Sequence, residues 1–210
     1  METIVKINNK DVVISCILDD ITTLNVDVIV NAAHESLMGG GGVDGAIHRA
    51  AGPFLLRECR EIPSDSNGVR CKTGEAYITA AYNLPSKHVI HTVAPKFVGG
   101  IIRRKVGNEF QPIYKNVLPD TDKDMENCYK RCIELADKNG LKSIAFPSLG
   151  TGGHAYPIEL ACPIAIKTTI QSLNNTVSLN RIIFVCFSQQ DYDFYERNII
   201  EITGEYNGKN

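Results

Sequence analysis

The sequence predicts an α/β fold: a three-layer α/β/α sandwich around a mixed, largely parallel central sheet. Three observations predict it. Apolar, β-branched runs bounded by turn residues recur along the 210 residues. Several are continuous rather than alternating, as strands covered on both faces require. Segments of helical periodicity lie between them. Two glycine-rich turns each join a strand to a helix, and open α/β sheets bind ligands beyond the carboxyl ends of their strands.

In chain order, the strand candidates are Ile4–Ile7, Val12–Leu18, Val26–Val30, Ala76–Ala80, Val89–Val93, Ser143–Pro147 and Arg181–Phe187. Ala46–Ala51 reads as a helix behind the first glycine run. Met125, Cys128, Cys132, Leu135 and Ala136 share one helical face, and Asn139-Gly140 supplies its stop. A further helix covers about 158 to 173, with Ala161, Ala165, Ile166, Thr169, Ile170 and Leu173 on one stripe. Pro163 fits that helix only in a first turn, which moves its start later. Asp191–Ile200 reads as a closing helix. Residues 96–124 lack periodicity and read as a long loop inserted into one domain spanning residues 1–210.

The net charge of −2 excludes a general polyanion-binding surface, so no nucleic-acid partner is expected. An anionic ligand would have to be held by backbone amides. Arg103-Arg104-Lys105, the one basic cluster, reads as a solvated loop. No apolar run approaches membrane-spanning length and the first residues lack a signal-peptide layout, so no membrane partner is expected. The seven cysteines include no C-x-x-C pair and no neighbouring histidines that complete a zinc set. They read as buried free thiols of an intracellular, cytoplasmic or nuclear protein, with no metal and no cofactor.

The most informative segment is Asn31-Ala-Ala-His34-Glu-Ser-Leu-Met-Gly39-Gly-Gly-Gly42-Val-Asp44-Gly45. Four consecutive glycines between a strand and a helix carry a large entropic penalty, acceptable where backbone must approach something closely. A helix start with free N–H groups favours a phosphate. Asp44 beside such an anion is electrostatically unwelcome unless it does chemistry or orients something. The second turn, Ser148-Leu-Gly150-Thr-Gly152-Gly153-His154-Ala-Tyr156-Pro157, follows the strand Ser143–Pro147. Two such loops facing each other can clamp a diphosphate. Neither matches the nucleotide-hydrolase or dinucleotide fingerprint.

At these loops the chain resembles the macro domain family, in particular its MacroD-like ADP-ribose hydrolase branch. The resemblance rests on Asp19-Asp20-Ile21-Thr22, Val26 to Ala33, Gly39 to Gly52, Thr73-Gly74-Glu75-Ala76, Tyr82 to Pro85, Val89 to Pro95 and Ile144 to Gly152. It implies a fold that binds ADP-ribose or mono-ADP-ribosylated proteins. By the same resemblance, Asp20 would hydrogen-bond the adenine amino group with the Ile21 backbone beside it. Gly41, Gly42 and Val43 would cradle one phosphate, and Ser148, Gly150, Thr151, Gly152, Gly153 and His154 the other. Phe187 would pack on the adenosine end, and Asn31 would belong to the ligand site.

Two departures fall at the reacting ribose. His34 stands where MacroD-like hydrolases carry Asn, and His154 where they carry Phe or Tyr. His34 either replaces the Asn as a hydrogen-bonding group, acts as a base, or marks a domain that binds without hydrolysing. His154 either stacks on the ribose or caps the loop. His91 reads as a satisfied core histidine, and His48 and Arg49 as structural. The leading expectation is an enzyme that removes ADP-ribose from modified proteins, with Asp44 and His34 catalytic, and that also deacetylates O-acetyl-ADP-ribose. The alternatives are a non-catalytic reader of ADP-ribosylation and an ADP-ribose 1″-phosphate phosphatase.

Overall fold

A computed structural model describes residues 1–106, 109–116, 118 and 120–208. Strands β1 (Glu2–Ile7), β2 (Lys10–Leu18), β3 (Val28–Ala32), β4 (Ala76–Ala80), β5 (His88–Thr92), β8 (Ser143–Pro147) and β9 (Arg181–Cys186) form one sheet. Strands β6 (Gly99–Val106) and β7 (Glu109–Asn116) pair separately, and the helices are α1 (Gly42–Ala51), α2 (Pro53–Glu61), α3 (Thr121–Lys138), α4 (Ile158–Leu173) and α5 (Gln189–Asn207). The sheet order is β1-β2-β9-β8-β3-β5-β4, with only the edge strands β1 and β4 antiparallel to their neighbours. The continuous apolar strands are central. Val28, Val30, Ile144, Phe146, Ile182 and Phe184 pack towards α3, α4 and α5, while Ile29, Ala145, Ile183 and Val185 face the layer holding α1 and α2. Burial on both faces is what their unbroken hydrophobicity requires.

Three expectations need correction. Residues 96–124 are not a loop: β6 and β7 form an antiparallel ribbon, and α3 begins at Thr121. The ribbon is a two-stranded sheet of its own, and its sequence carries no unbroken apolar run to betray it. Residues 107, 108, 117 and 119 of that segment lie outside the described residues. Pro163 does not delay α4, which starts at Ile158 and carries the proline inside. Such a proline costs about 3 kcal/mol in a free helix. Here the flanking Ala161, Cys162, Ala165 and Ile166 are fully buried, and the carbonyl that loses its N–H donor four residues on belongs to Glu159, an exposed residue. Finally, α1 begins at Gly42, well before Ala46, and α2 follows with Pro53 at its first position. All seven cysteines are buried and free, and burial pushes the Cys71 and Cys186 thiols up to about 12. No helix among the described residues is long and apolar enough to cross a membrane.

The amino ends of the central strands are tied by Asp27. Its carboxylate accepts from the Lys142 and Ser143 N–H groups at 2.8 and 3.1 Å and from Lys87 Nζ at 2.6 Å. Burial opposes ionisation, yet Lys87 and the two amides hold the Asp27 carboxyl down at about 2. A lowered folded-state value adds stability above the unfolded value near 4, and that stability fades as pH falls towards 2. Asp27→Asn is therefore expected to destabilise the fold by roughly 2 kcal/mol at neutral pH. Urea melts of both proteins check this, with the gap narrowing below about pH 4.

Candidate ligand site

All five parallel strands end on one edge of the sheet, and the loops that leave them follow the strand order. Asp19-Asp20 leaves β2, Phe187 leaves β9, Ser148–His154 leaves β8, Ala33–Gly41 leaves β3 and Val93–Lys96 leaves β5. The candidate residues named from the sequence thus lie in one row across that edge, at roughly 4.8 Å per strand.

The first loop ends at Gly41, which caps α1 without any side-chain hydrogen bond. Gly42 has φ +57°, a conformation that L side chains rarely adopt. A Cβ built on Gly41, Gly42, Gly152 or Gly153 would meet nothing within 4 Å. Both loops therefore border open space with bare backbone, and the first-turn N–H groups of α1 are available to an anion. Gly150 differs from its neighbours. It is buried with φ +79°, and a Cβ there would lie 2.8 Å from Met125 Cε, so packing dictates this glycine. Thr151 Oγ1 donates to the Ser148 carbonyl at 2.9 Å and braces the second loop, while Val43 and Ser148 are half-buried.

Asp44 does not point at the cradle as a bare charge. It lies in the first turn of α1, where the helix dipole favours an acid, and it is 4 % exposed. Asn31 Nδ2 donates to its Oδ1 at 2.6 Å, and His48 Nε2 lies 3.4 Å from the same oxygen. Burial raises the Asp44 carboxyl, against the lowering effect of Asn31, His48 and His34. Asn31 is fully buried, and its Nδ2 also approaches His91 Nδ1 at 3.1 Å. Burial, with His48 adding to it, drops His91 to about 3, so the ring is neutral. An amide N–H can only donate, which makes His91 Nδ1 the acceptor and directs its Nε2–H to Thr79 Oγ1 at 3.0 Å. A chain Thr79–His91–Asn31–Asp44 thus fixes the carboxylate.

His91 is the satisfied core histidine expected from its strand, but its link to Asp44 through Asn31 was missed. The link follows from register: Asn31 and His91 are paired residues of β3 and β5. Sequence spacing carries no trace of that pairing. His48, Cys59 and His91 also bring donor atoms within 4.8 Å of one another, a cluster the sequence did not suggest. Both His91 nitrogens are hydrogen-bonded and burial pushes the Cys59 thiol up to about 12, so the cluster is knit as it stands.

Beyond the two loops, His34 and His154 line one cavity of about 380 Å³ with Thr73, Lys96 and Asp124. At the other end of the row, Asp20 caps a 3-10 turn, Ile21–Thr23. Its Oδ1 accepts from Thr22 N and Oγ1 at 2.9 and 2.8 Å. Oδ2 has no partner among the described residues. Ile21 is buried, and its turn touches both α1 and β8. Phe187 is 89 % exposed where β9 ends, and the Asp19 N–H donates to the Cys186 carbonyl beside it.

An α/β/α sandwich with two open glycine loops over the carboxyl edge defines a class of ligand-binding proteins whose site is made of backbone. The Macro domain family model matches residues 30–165, and the chain belongs to the macro domain family. It is 45 % identical over 181 residues to an O-acetyl-ADP-ribose deacetylase of Klebsiella pneumoniae, covering 86 % of this chain and 93 % of that one. It is 43 % identical over 183 residues to the ADP-ribose glycohydrolase MACROD2 of Xenopus laevis, covering 87 % of this chain but 38 % of that protein. Its fold is similar to the Oceanobacillus iheyensis macrodomain solved with ADP, with a TM-score of 0.79, 37 % identity and 98 % of each chain covered.

Proposed function

We propose that this chain binds ADP-ribose along the carboxyl edge of its sheet and hydrolyses ADP-ribose from modified proteins. The observation that carries the reading is the open space at Gly41, Gly42, Gly152 and Gly153, with Asp44 buried and hydrogen-bonded beside it. The diphosphate lies between the two loops, held by backbone amides. Ser148 and Thr151 frame one side, Val43 the other. Adenine reaches Asp20 Oδ2 and the Ile21 backbone, with the exposed Phe187 ring against the adenosine. The reacting ribose extends into the cavity that His34 and His154 line. Asp44 orients the attacking water and opposes positive charge developing at the anomeric carbon. Positioning and electrostatics supply most of the acceleration, with no metal or cofactor in the scheme. The same site accommodates O-acetyl-ADP-ribose, whose ester lies on the same ribose.

The test is release of ADP-ribose from a mono-ADP-ribosylated acceptor protein, followed with ADP-ribose binding in parallel. Release by the wild-type protein supports the hydrolase. Tight binding without release would instead make the domain a reader of ADP-ribosylation, the reading favoured by His34 in place of the family's Asn.

A further inference from the structure

His34 and His154 line one cavity, and their Nδ1 atoms have opposite hydrogen-bonding roles. In His34, Nδ1 lies 3.0 Å from Ser36 Oγ and 3.3 Å from the Ser36 N–H, which can only donate, so Nδ1 accepts. The neutral ring then carries its proton on Nε2 and is a donor there, as an amide side chain would be. In His154, Nδ1 lies 2.7 Å from the Ala94 carbonyl oxygen, which can only accept. Nδ1 is therefore the protonated nitrogen, and Nε2 is a bare acceptor without a partner among the described residues. The ring is held in place, because the Phe97 N–H donates to the His154 carbonyl at 2.9 Å and Phe97 packs edge-on against Tyr156.

Both rings line the cavity, and only His154 keeps its unprotonated nitrogen without a partner among the described residues. We infer that His154 is the general base of the hydrolysis, while His34 acts as a hydrogen-bond donor to the ribose; the inference rests on the hydrolase reading above. Nε2 of His154 takes a proton from the attacking water, whose oxygen bonds to the anomeric carbon. The bond from that carbon to the acceptor's carboxyl oxygen breaks, and its electron pair leaves on the carboxylate. Free ADP-ribose and an unmodified acidic side chain result, and the proton passes from His154 to solvent. The other titratable groups lining the cavity are His34, Glu35, Lys96 and Asp124, and Asp122 accepts from the Tyr156 hydroxyl.

The test is a single-turnover rate of release from a glutamate-linked, mono-ADP-ribosylated protein between acidic and alkaline pH. Wild type is expected to lose rate on the acid side, where protonation removes the lone pair. His154→Phe, the residue MacroD-like hydrolases carry beside the Asn that His34 replaces here, keeps a flat ring without an acceptor. With enzyme saturating over substrate, it is expected to be about 100-fold slower at neutral pH and to lose the acid limb. His34→Asn is expected to retain the acid limb, and added imidazole to restore part of the rate of His154→Ala. A His154→Phe rate equal to wild type, or a slower rate with the acid limb unchanged, would overturn the inference while leaving the hydrolase reading intact. Wild-type protein that binds ADP-ribose but never releases it would overturn both.

Discussion

Asp44→Ala is expected to slow ADP-ribose release by ~100-fold or more, the usual scale for removing one preorganised electrostatic group. Binding should survive, because Asp44 is engaged by Asn31 and His48 and contributes no backbone to the loops. Removing a carboxylate from beside a bound diphosphate even relieves repulsion. The substitution leaves the Asn31 amide without its acceptor in a fully buried position, so some loss of stability accompanies it. Asp44→Asn separates the two effects: it keeps the shape and a hydrogen-bonding oxygen but removes the charge. Single-turnover release and calorimetric affinity, measured on both variants, check the split between chemistry and binding. Equal losses in affinity and turnover would assign Asp44 to binding instead.

Gly42→Val is expected to weaken ADP-ribose binding by ~10- to 100-fold, an energy of about 1.4 to 2.8 kcal/mol. Two effects act together. A branched side chain at φ +57° strains the backbone, at about 1–3 kcal/mol for such a residue. The new side chain also projects into space that is empty of protein and proposed for phosphate. The rest of the fold does not touch that space, so far-UV circular dichroism should match wild type. Calorimetric titration with ADP-ribose reads the effect, and an unchanged affinity would contradict the cradle.

The central strands were legible because burial on both faces writes itself as unbroken Val, Ile and Phe runs. The glycine loops were legible because backbone exposed to a ligand removes side chains from four adjacent positions. The ribbon of β6 and β7 was not, since its sequence shows neither an unbroken apolar run nor the regular alternation that marks a strand. Pro163 misled because local propensity argues against an interior proline, while the buried flanks of α4 come from tertiary packing. Among the candidate residues, Gly150 looked like its loop neighbours, yet its glycine answers to Met125 on α3. Asn31 was expected at the ligand, and its Nδ2 also reaches Asp44 and His91, contacts that were not foreseen. Both facts depend on which strand or helix lies alongside, and sequence spacing does not carry that information. The tautomers of His34 and His154 depend on Ser36 and Ala94 in the same way.

The central claim is that the paired glycine loops form a site for ADP-ribose, and direct calorimetric titration of the wild-type protein with ADP-ribose tests it. The account predicts saturable binding of one ADP-ribose per chain, with ADP competing for the same site. Absence of saturable binding at millimolar ADP-ribose would contradict it.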